Sequence, residues 1–252
     1  MKPALLACFL VFLTGCSLFD ENEDPANWSA ERYYQSAQDA LKLSDYQMAI
    51  QRLEDLEVRY PFSSYTAQGQ LEIAYAYYKY DEPELAITAA ERFIKLYPRN
   101  KNIDYAYYIM GLSNFNRGLS SIDFVLGLDP SKRNPKSATD AFLSFELLIT
   151  RFPDSQYVAD SKQRMIYLRN RLAETELHAA RYSIARGAHL AAVTRAKHVI
   201  EAYPQSQAIP DALAIMLESY QALEINDLAE DTLAILKLNY PDHPAVAKAL
   251  KQ

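Results

Sequence analysis

The stretch Ala86-Ile87-Thr88-Ala89-Ala90-Glu91-Arg92-Phe93-Ile94-Lys95-Leu96-Tyr97-Pro98 decides the fold, because its skeleton returns along the chain. An aromatic-Pro pair stands at Tyr60-Pro61, Tyr97-Pro98, Phe152-Pro153, Tyr203-Pro204 and Tyr240-Pro241. Twelve residues before each Pro lies an alanine: Ala49, Ala86, Ala141, Ala192 and Ala229. Five residues before each Pro the side chain is large and apolar: Leu56, Phe93, Leu148, Val199 and Leu236. A second small residue precedes the alanine by twelve positions at Ala37, Ala74 and Ala180, gives way to Leu217 in the last repeat, and is displaced to Gly111 in the third.

These residue types are those of a helix hairpin. Two helices approach closely only where a small side chain allows it, and the apolar residues a turn away fill the seam. Proline then ends the second helix and turns the chain into the next pair. Ser44-Asp45, Asp81-Glu82-Pro83, Gly187 and Asn226-Asp227 mark turns inside four hairpins. The spacings between the proline positions are 37, 55, 51 and 37, so the regular unit is 37. The third repeat carries extra residues from Gly118 to Pro135, between its helices. The apolar run Phe124-Val125-Leu126-Gly127-Leu128 within them either tucks against the repeats or docks a partner. The fourth repeat has no breaker between Ser155 and Arg186, which predicts one helix of about 48 Å. No strand signal occurs. The fold class is all-α, a tetratricopeptide-type α-solenoid of about five helix hairpins, with repeats ending near 61, 98, 153, 204 and 241.

The N-terminus reads as an export signal over 1–15. Met1-Lys2 is the positive start, and Ala4 to Leu13 is an apolar run too short to span a bilayer. Leu13-Thr14-Gly15-Cys16 resembles the bacterial lipobox, in which small residues admit the backbone to the peptidase and the Cys thiol takes the lipid. Cys16 is therefore the expected lipidation site and membrane anchor. The other cysteine, Cys8, departs with the leader, so the mature chain has no disulfide. Ser17 stands where an Asp would favour the inner membrane in such lipoproteins, which implies the outer membrane, periplasmic face. Residues 16–28 form a flexible acidic tether, with Asp20, Glu21, Glu23 and Asp24, and 29–252 form the repeat body.

Composition narrows the function. Half of the 252 residues are hydrophobic and only 6 are glycine, which suits a packed core. The net charge of −6, with bases interspersed among acids, argues against nucleic acid as a partner. No phosphate-binding glycine loop, nucleophile elbow or zinc-protease motif is present. The four histidines, His178, His189, His198 and His243, never pair at helical spacing, so no metal or other cofactor is expected and the chain reads as a non-enzyme. What remains is surface. The 19 tyrosines are mostly repeat core, but Tyr75 and Tyr78, three apart on one helix, suit a groove.

Beyond the generic repeat, Arg59-Tyr60-Pro61-Phe62, Ala74-Tyr75-Ala76-Tyr77-Tyr78-Lys79, Asn102-Ile103-Asp104-Tyr105 and Pro153-Asp154-Ser155-Gln156-Tyr157 resemble the BamD (ComL) family, lipoproteins of the outer-membrane β-barrel assembly (Bam) complex. The resemblance runs from the lipobox to near the C-terminus and includes both insertions. It implies a scaffold whose partners are the BamA POTRA domains, accessory Bam lipoproteins and unfolded outer-membrane β-barrel substrates, held at the membrane by the lipid anchor. An adaptor for peptidoglycan or other envelope machinery is the alternative. The resemblance also implies a substrate-peptide groove near Arg59, Tyr60, Phe62 and Tyr65, extended by Tyr75 and Tyr78. Arg59 would meet a terminal carboxylate and the aromatics a terminal aromatic residue. Tyr60 and Phe62 read equally as plugs between hairpins, and Ser63 and Val58 depart from the family's Gly and Asn. The resemblance further implies that Arg195 occupies the position that pairs with an acidic residue of the last POTRA domain, with Arg186 as a second contact. Ala188, Ala192, Ala196 and Val199 form the apolar stripe of its helix, and Arg195 sits at the stripe's edge with no acid three or four residues away. Its carboxylate comes from an adjacent hairpin or from another protein.

Overall fold

The computed structural model describes residues 25–117, 129–132 and 134–249. The leader, Cys16, the tether up to Asp24 and the run Phe124–Leu128 lie outside the described residues. Among those described there are α-helices and short 3-10 turns and no strands. No helix among them is long and apolar enough to cross a membrane.

The helices are α1 (Ala30–Lys42), α2 (Tyr46–Arg59), α3 (Ser64–Lys79), α4 (Pro83–Leu96), α5 (Ile103–Arg117), α6 (Lys136–Arg151), α7 (Val158–Ala185), α8 (His189–Ala202), α9 (Ile209–Ala222), α10 (Asn226–Asn239) and the short α11 (Pro244–Ala249). They fall into two compact units, residues 1–69 and 70–252. In the first, α1 and α2 pack as a hairpin. Ser29 and Asp45 accept from the backbone N–H of Arg32 and Met48, satisfying otherwise unpaired first-turn donors. Ala37 and Ala49 are wholly buried, as are Tyr33 and Leu56. Each such cap stabilises its helix by about 1 kcal/mol. Pro25–Asn27, read from sequence as extended tether, instead form a 3-10 turn, and Trp28 packs edge-on against Tyr33 with centroids 5.4 Å apart. A bulky indole with a core ring within reach gains more from burial than from hydration.

In the second unit each helix from α4 to α10 packs on its successor. One core gathers Ala74, Ala90, Ile109, Leu112, Ala141, Phe145 and Leu168, and the next gathers Ala180, Ala192, Ala196, Val199 and Ala212. The small residues set the helix separation and the larger ones fill what is left. Gly111 shows how closely the two are matched. A Cβ there would stand 2.5 Å from Cε1 of Phe145, a ring with no exposed surface. α7 runs 28 residues, or about 42 Å. It starts at Val158 rather than Ser155, because Ser155 and Tyr157 belong to the preceding turn.

The aromatic-Pro pairs form one joint used five times. The backbone N–H of Tyr60, Tyr97, Phe152, Tyr203 and Tyr240 donates the last helical bond to Leu56, Phe93, Leu148, Val199 and Leu236, the buried apolar residues of the pattern. Each aromatic has ψ between 54° and 63°, out of the helical region that the following proline disfavours. Its carbonyl then accepts from the residue three ahead: Ser63, Asn100, Ser155, Ser206 or His243. The turns inside the hairpins share a device that their composition hides. Ser44, Asp81, Gly187 and Glu224 all have φ between 59° and 73°, and each lies five residues before a repeat alanine. Only one of the four is glycine. In the last hairpin this places the turn at Glu224, and Asn226-Asp227, expected as the turn, instead open α10.

Candidate functional site

The first joint belongs to the first unit. Tyr60, half-buried, donates its hydroxyl to the Trp28 carbonyl at 2.6 Å and lies 6.4 Å from the Tyr33 ring. Arg59 donates to the Ala26 carbonyl at 3.4 Å and covers the Tyr33 ring. These two residues tie the start of the body to α1 and α2. Arg32 and Arg52 add their guanidinium groups over Trp28 at 5.3 and 4.8 Å. Tyr65 stacks on Tyr34 at 5.1 Å. Phe62 differs from all of them: it is 100% exposed. Of the two aromatics read as plugs or as contacts, Tyr60 is the plug and Phe62 the free phenyl face.

In the second unit Tyr75 and Tyr78 are half-buried against the core, beside Tyr105 and Tyr108. Tyr78 accepts a hydrogen bond from Asn116 at 3.3 Å. Tyr157, delivered by the joint before α7, stacks on Tyr108 at 4.5 Å and tilts against Tyr105 at 5.2 Å. The Tyr108 hydroxyl donates to Asp160 at 2.8 Å, and Arg164 donates to the same carboxylate at 2.6 Å while covering Phe115. Burial pushes the Tyr108 phenol up to about 12, with the Asp160 hydrogen bond adding to it. Burial, with the neighbouring phenols, raises Tyr105 further. Burial opposes ionisation of Asp160, but the bonds from Arg164 and Tyr108 win and hold its carboxyl below the usual range. At neutral pH the patch is therefore a set of neutral rings with fixed hydroxyls and one neutralised ion pair. Such a surface stacks against apolar and aromatic groups and donates single hydrogen bonds.

The third location is the seam between α7 and α8. The buried stripe of α8 is Ala192, Val193, Ala196 and Val199; Ala188, expected in it, is exposed because the helix begins only at His189. Arg195 donates from Nη1 to Oε2 of Glu176, on α7, at 2.8 Å. The arginine side chain is 54% exposed and the glutamate only 19%. The carboxylate thus comes from the first helix of the same hairpin. Burial raises the Tyr203 phenol, and the charge of Glu176 raises it further. Arg186 caps α7, exposed, with its guanidinium over the ring of Tyr182 and bonded to the hydroxyl at 2.9 Å.

The described end of the third-repeat insertion is fastened to α7. Ser131 donates backbone N–H and hydroxyl to one oxygen of Asp129, at 2.9 and 2.6 Å. His178 reaches the other oxygen at 3.1 Å, and Thr175 donates to the Ser131 carbonyl at 2.8 Å. The Ser131 bonds chiefly hold the Asp129 carboxyl below its ordinary value.

Sequence reasoning missed Glu176, Trp28 and the Tyr157–Asp160–Arg164 group. For Glu176 a signal existed. In the hairpin register set by Ala180 and Ala192, a position four before the first small residue faces one three after the second. The same offsets give Tyr33 and Arg52 in the first hairpin, both of which meet Trp28. Among the described residues no group of three or more His, Cys, Asp or Glu is placed to hold a metal ion.

A family model described as outer membrane lipoprotein (YfiO) matches residues 26–236. A protein of Neisseria gonorrhoeae named outer membrane protein assembly factor BamD is 41% identical over 99% of this chain and 95% of its own length. Proteins of the same name from Xylella fastidiosa and Vibrio cholerae are each 36% identical, covering 96% and 93% of this chain and 82% and 96% of their own. With the family model spanning most of the chain and these relatives aligned nearly end to end, the chain belongs to the BamD family of outer membrane lipoproteins.

Proposed function

We propose that this chain is a non-enzymatic scaffold subunit of the machinery that folds and inserts β-barrel proteins into the outer membrane. The observation that carries this reading is the near end-to-end match to relatives named as outer membrane protein assembly factors. The peptidoglycan-adaptor alternative is not favoured, because those relatives cover the whole repeat body rather than a shared repeat alone. The chain has no nucleotide motif, so any work it performs comes from binding free energy.

In this reading Cys16 carries lipid and holds the body at the periplasmic face of the outer membrane. Three acyl chains anchor stably where one gives only marginal hold. Arg195 docks on a carboxylate of the last POTRA domain of BamA, with Arg186 beside it. The exposure of Arg195 and its single bond leave guanidinium donors for a second acceptor. Unfolded barrel segments meet aromatic surface at Phe62 and along Tyr75 and Tyr78, while Tyr60 and Arg59 act by holding the joint that presents Phe62. Accessory lipoproteins of the complex complete the assembly.

Depleting the chain from its own cells tests the function. Folded, heat-modifiable barrel proteins should fall in the outer membrane and return with a plasmid copy. Unchanged barrel levels after full depletion would overturn the reading. For the docking contact, Arg195→Glu should weaken BamA binding by roughly 30-fold or more while the helical signal survives, and an acid-to-base change on BamA should restore it. Binding at wild-type strength removes the docking role.

A further inference from the structure

We propose that Glu176 is the positioning residue for Arg195: it holds the guanidinium by one amino group so that the remaining donors face an incoming carboxylate. This rests on the reading of Arg195 as a docking contact. Three observations support it. Glu176 engages only Nη1, and Arg195 makes no other hydrogen bond or ion pair among the described residues. A guanidinium carries five N–H donors in a planar fork, so one bonded corner leaves an edge able to take a second carboxylate. The exposures are unequal in the sense a fixed support requires: the carboxylate is largely covered and the cation mostly open. Glu176 is also the charge that, after burial, raises the Tyr203 phenol.

Its own helix offers no substitute at helical spacing. On α8 the positions three and four residues from Arg195 are Ala191, Ala192, His198 and Val199, and none is an acid. Without Glu176 the long side chain would sweep over an open face of Ala191 and Thr194. Freezing it would then fall to the binding step. Two effects oppose each other when Glu176 is removed. Losing its charge relieves repulsion of a second carboxylate, but that repulsion acts across an intervening cation at a surface where water and salt screen it. Losing the hydrogen bond frees a rotamer-rich side chain, which costs roughly 3- to 10-fold in affinity. The second effect is the larger.

The test measures binding of the full-length lipoprotein, in detergent, to the periplasmic POTRA region of BamA from the same organism. Arg195→Ala should bind roughly 30-fold weaker or worse. Glu176→Ala should bind about 3- to 10-fold weaker. Glu176→Gln, which keeps an acceptor oxygen and drops the charge, should bind close to wild-type strength. The double variant Glu176→Ala/Arg195→Ala should be no weaker than Arg195→Ala alone, because Glu176 acts only through Arg195. Wild-type binding by Glu176→Ala, a Glu176→Gln loss equal to that of Glu176→Ala, or additive losses in the double variant each overturn the positioning role while the docking reading stands. Wild-type binding by Arg195→Ala overturns both.

Discussion

Gly111→Ala is the sharpest perturbation of this architecture. Alanine is the better helix former by about 1 kcal/mol, so on propensity alone the change stabilises α5. The structure reverses that sign. The new methyl carbon would lie 2.5, 2.7 and 2.9 Å from Cε1, Cδ1 and Cζ of Phe145. Ordinary carbon contacts begin near 3.5 Å, so the ring or the helix must shift by about 1 Å. Phe145 is fully buried among Ala141, Ile109 and Leu168 and has no open side to move toward. Overpacking of this kind costs about 3 kcal/mol, and after the propensity gain a net loss of about 2 kcal/mol remains. For a body of this size the melting temperature should fall by about 4–8 °C, read by circular dichroism at 222 nm. Phe145→Leu in the same chain should recover most of the loss by vacating the ring's edge. Gly69→Ala is the milder comparison, because its Cβ would meet the Cδ2 methyls of Leu53 and Leu56 at 3.3 and 3.5 Å, well beyond the contacts at Gly111. A Gly111→Ala protein that melts at or above the wild-type temperature would show that the Phe145 ring does not fill the space at Gly111.

Four further outcomes follow. Glu224→Gly should raise stability by about 1 kcal/mol, since glycine adopts φ near 59° without strain, and Gly187→Ala should lower it by a similar amount in urea melts; opposite signs would contradict the shared turn. Tyr105 has a phenol raised by burial, so its contribution is intact below the ordinary tyrosine value near 10 and drains as pH rises through its own higher value. Tyr105→Phe should therefore shift alkaline unfolding to higher pH, and an unchanged midpoint would show that this phenol does not report on folding. Cys16→Ala should abolish incorporation of labelled palmitate, and label persisting in that variant would disprove the anchor.

Much of the fold was legible because its signals are local and repeated. The alanines and the apolar residues before each Pro are chosen by helix contact, and contact at fixed register leaves a periodic trace. The unbroken run before Arg186 gave α7 for the same reason, less the residues that the preceding turn claims. The turn in the last hairpin was misplaced because Glu224 carries no turn signature; the hairpin forces φ > 0 on whatever residue stands five before the repeat alanine. Ala188 was misread because a helical wheel assumes the helix has already begun. The site was less legible. Arg195 was visible as a cation with no acid three or four residues away on its own helix, but Glu176 lies 19 residues away and is paired by register alone. Tyr60 and Phe62 look alike in sequence and separate only once Tyr60 finds the Trp28 carbonyl and Phe62 finds nothing.

This family member works within the β-barrel assembly machinery of the outer membrane. Crosslinked affinity purification of the intact lipoprotein from membranes, with identification of what is bound, is the test of that role. BamA should be recovered as the dominant partner, and should be lost or sharply reduced with Arg195→Glu. Recovery of peptidoglycan hydrolases with no BamA would contradict it.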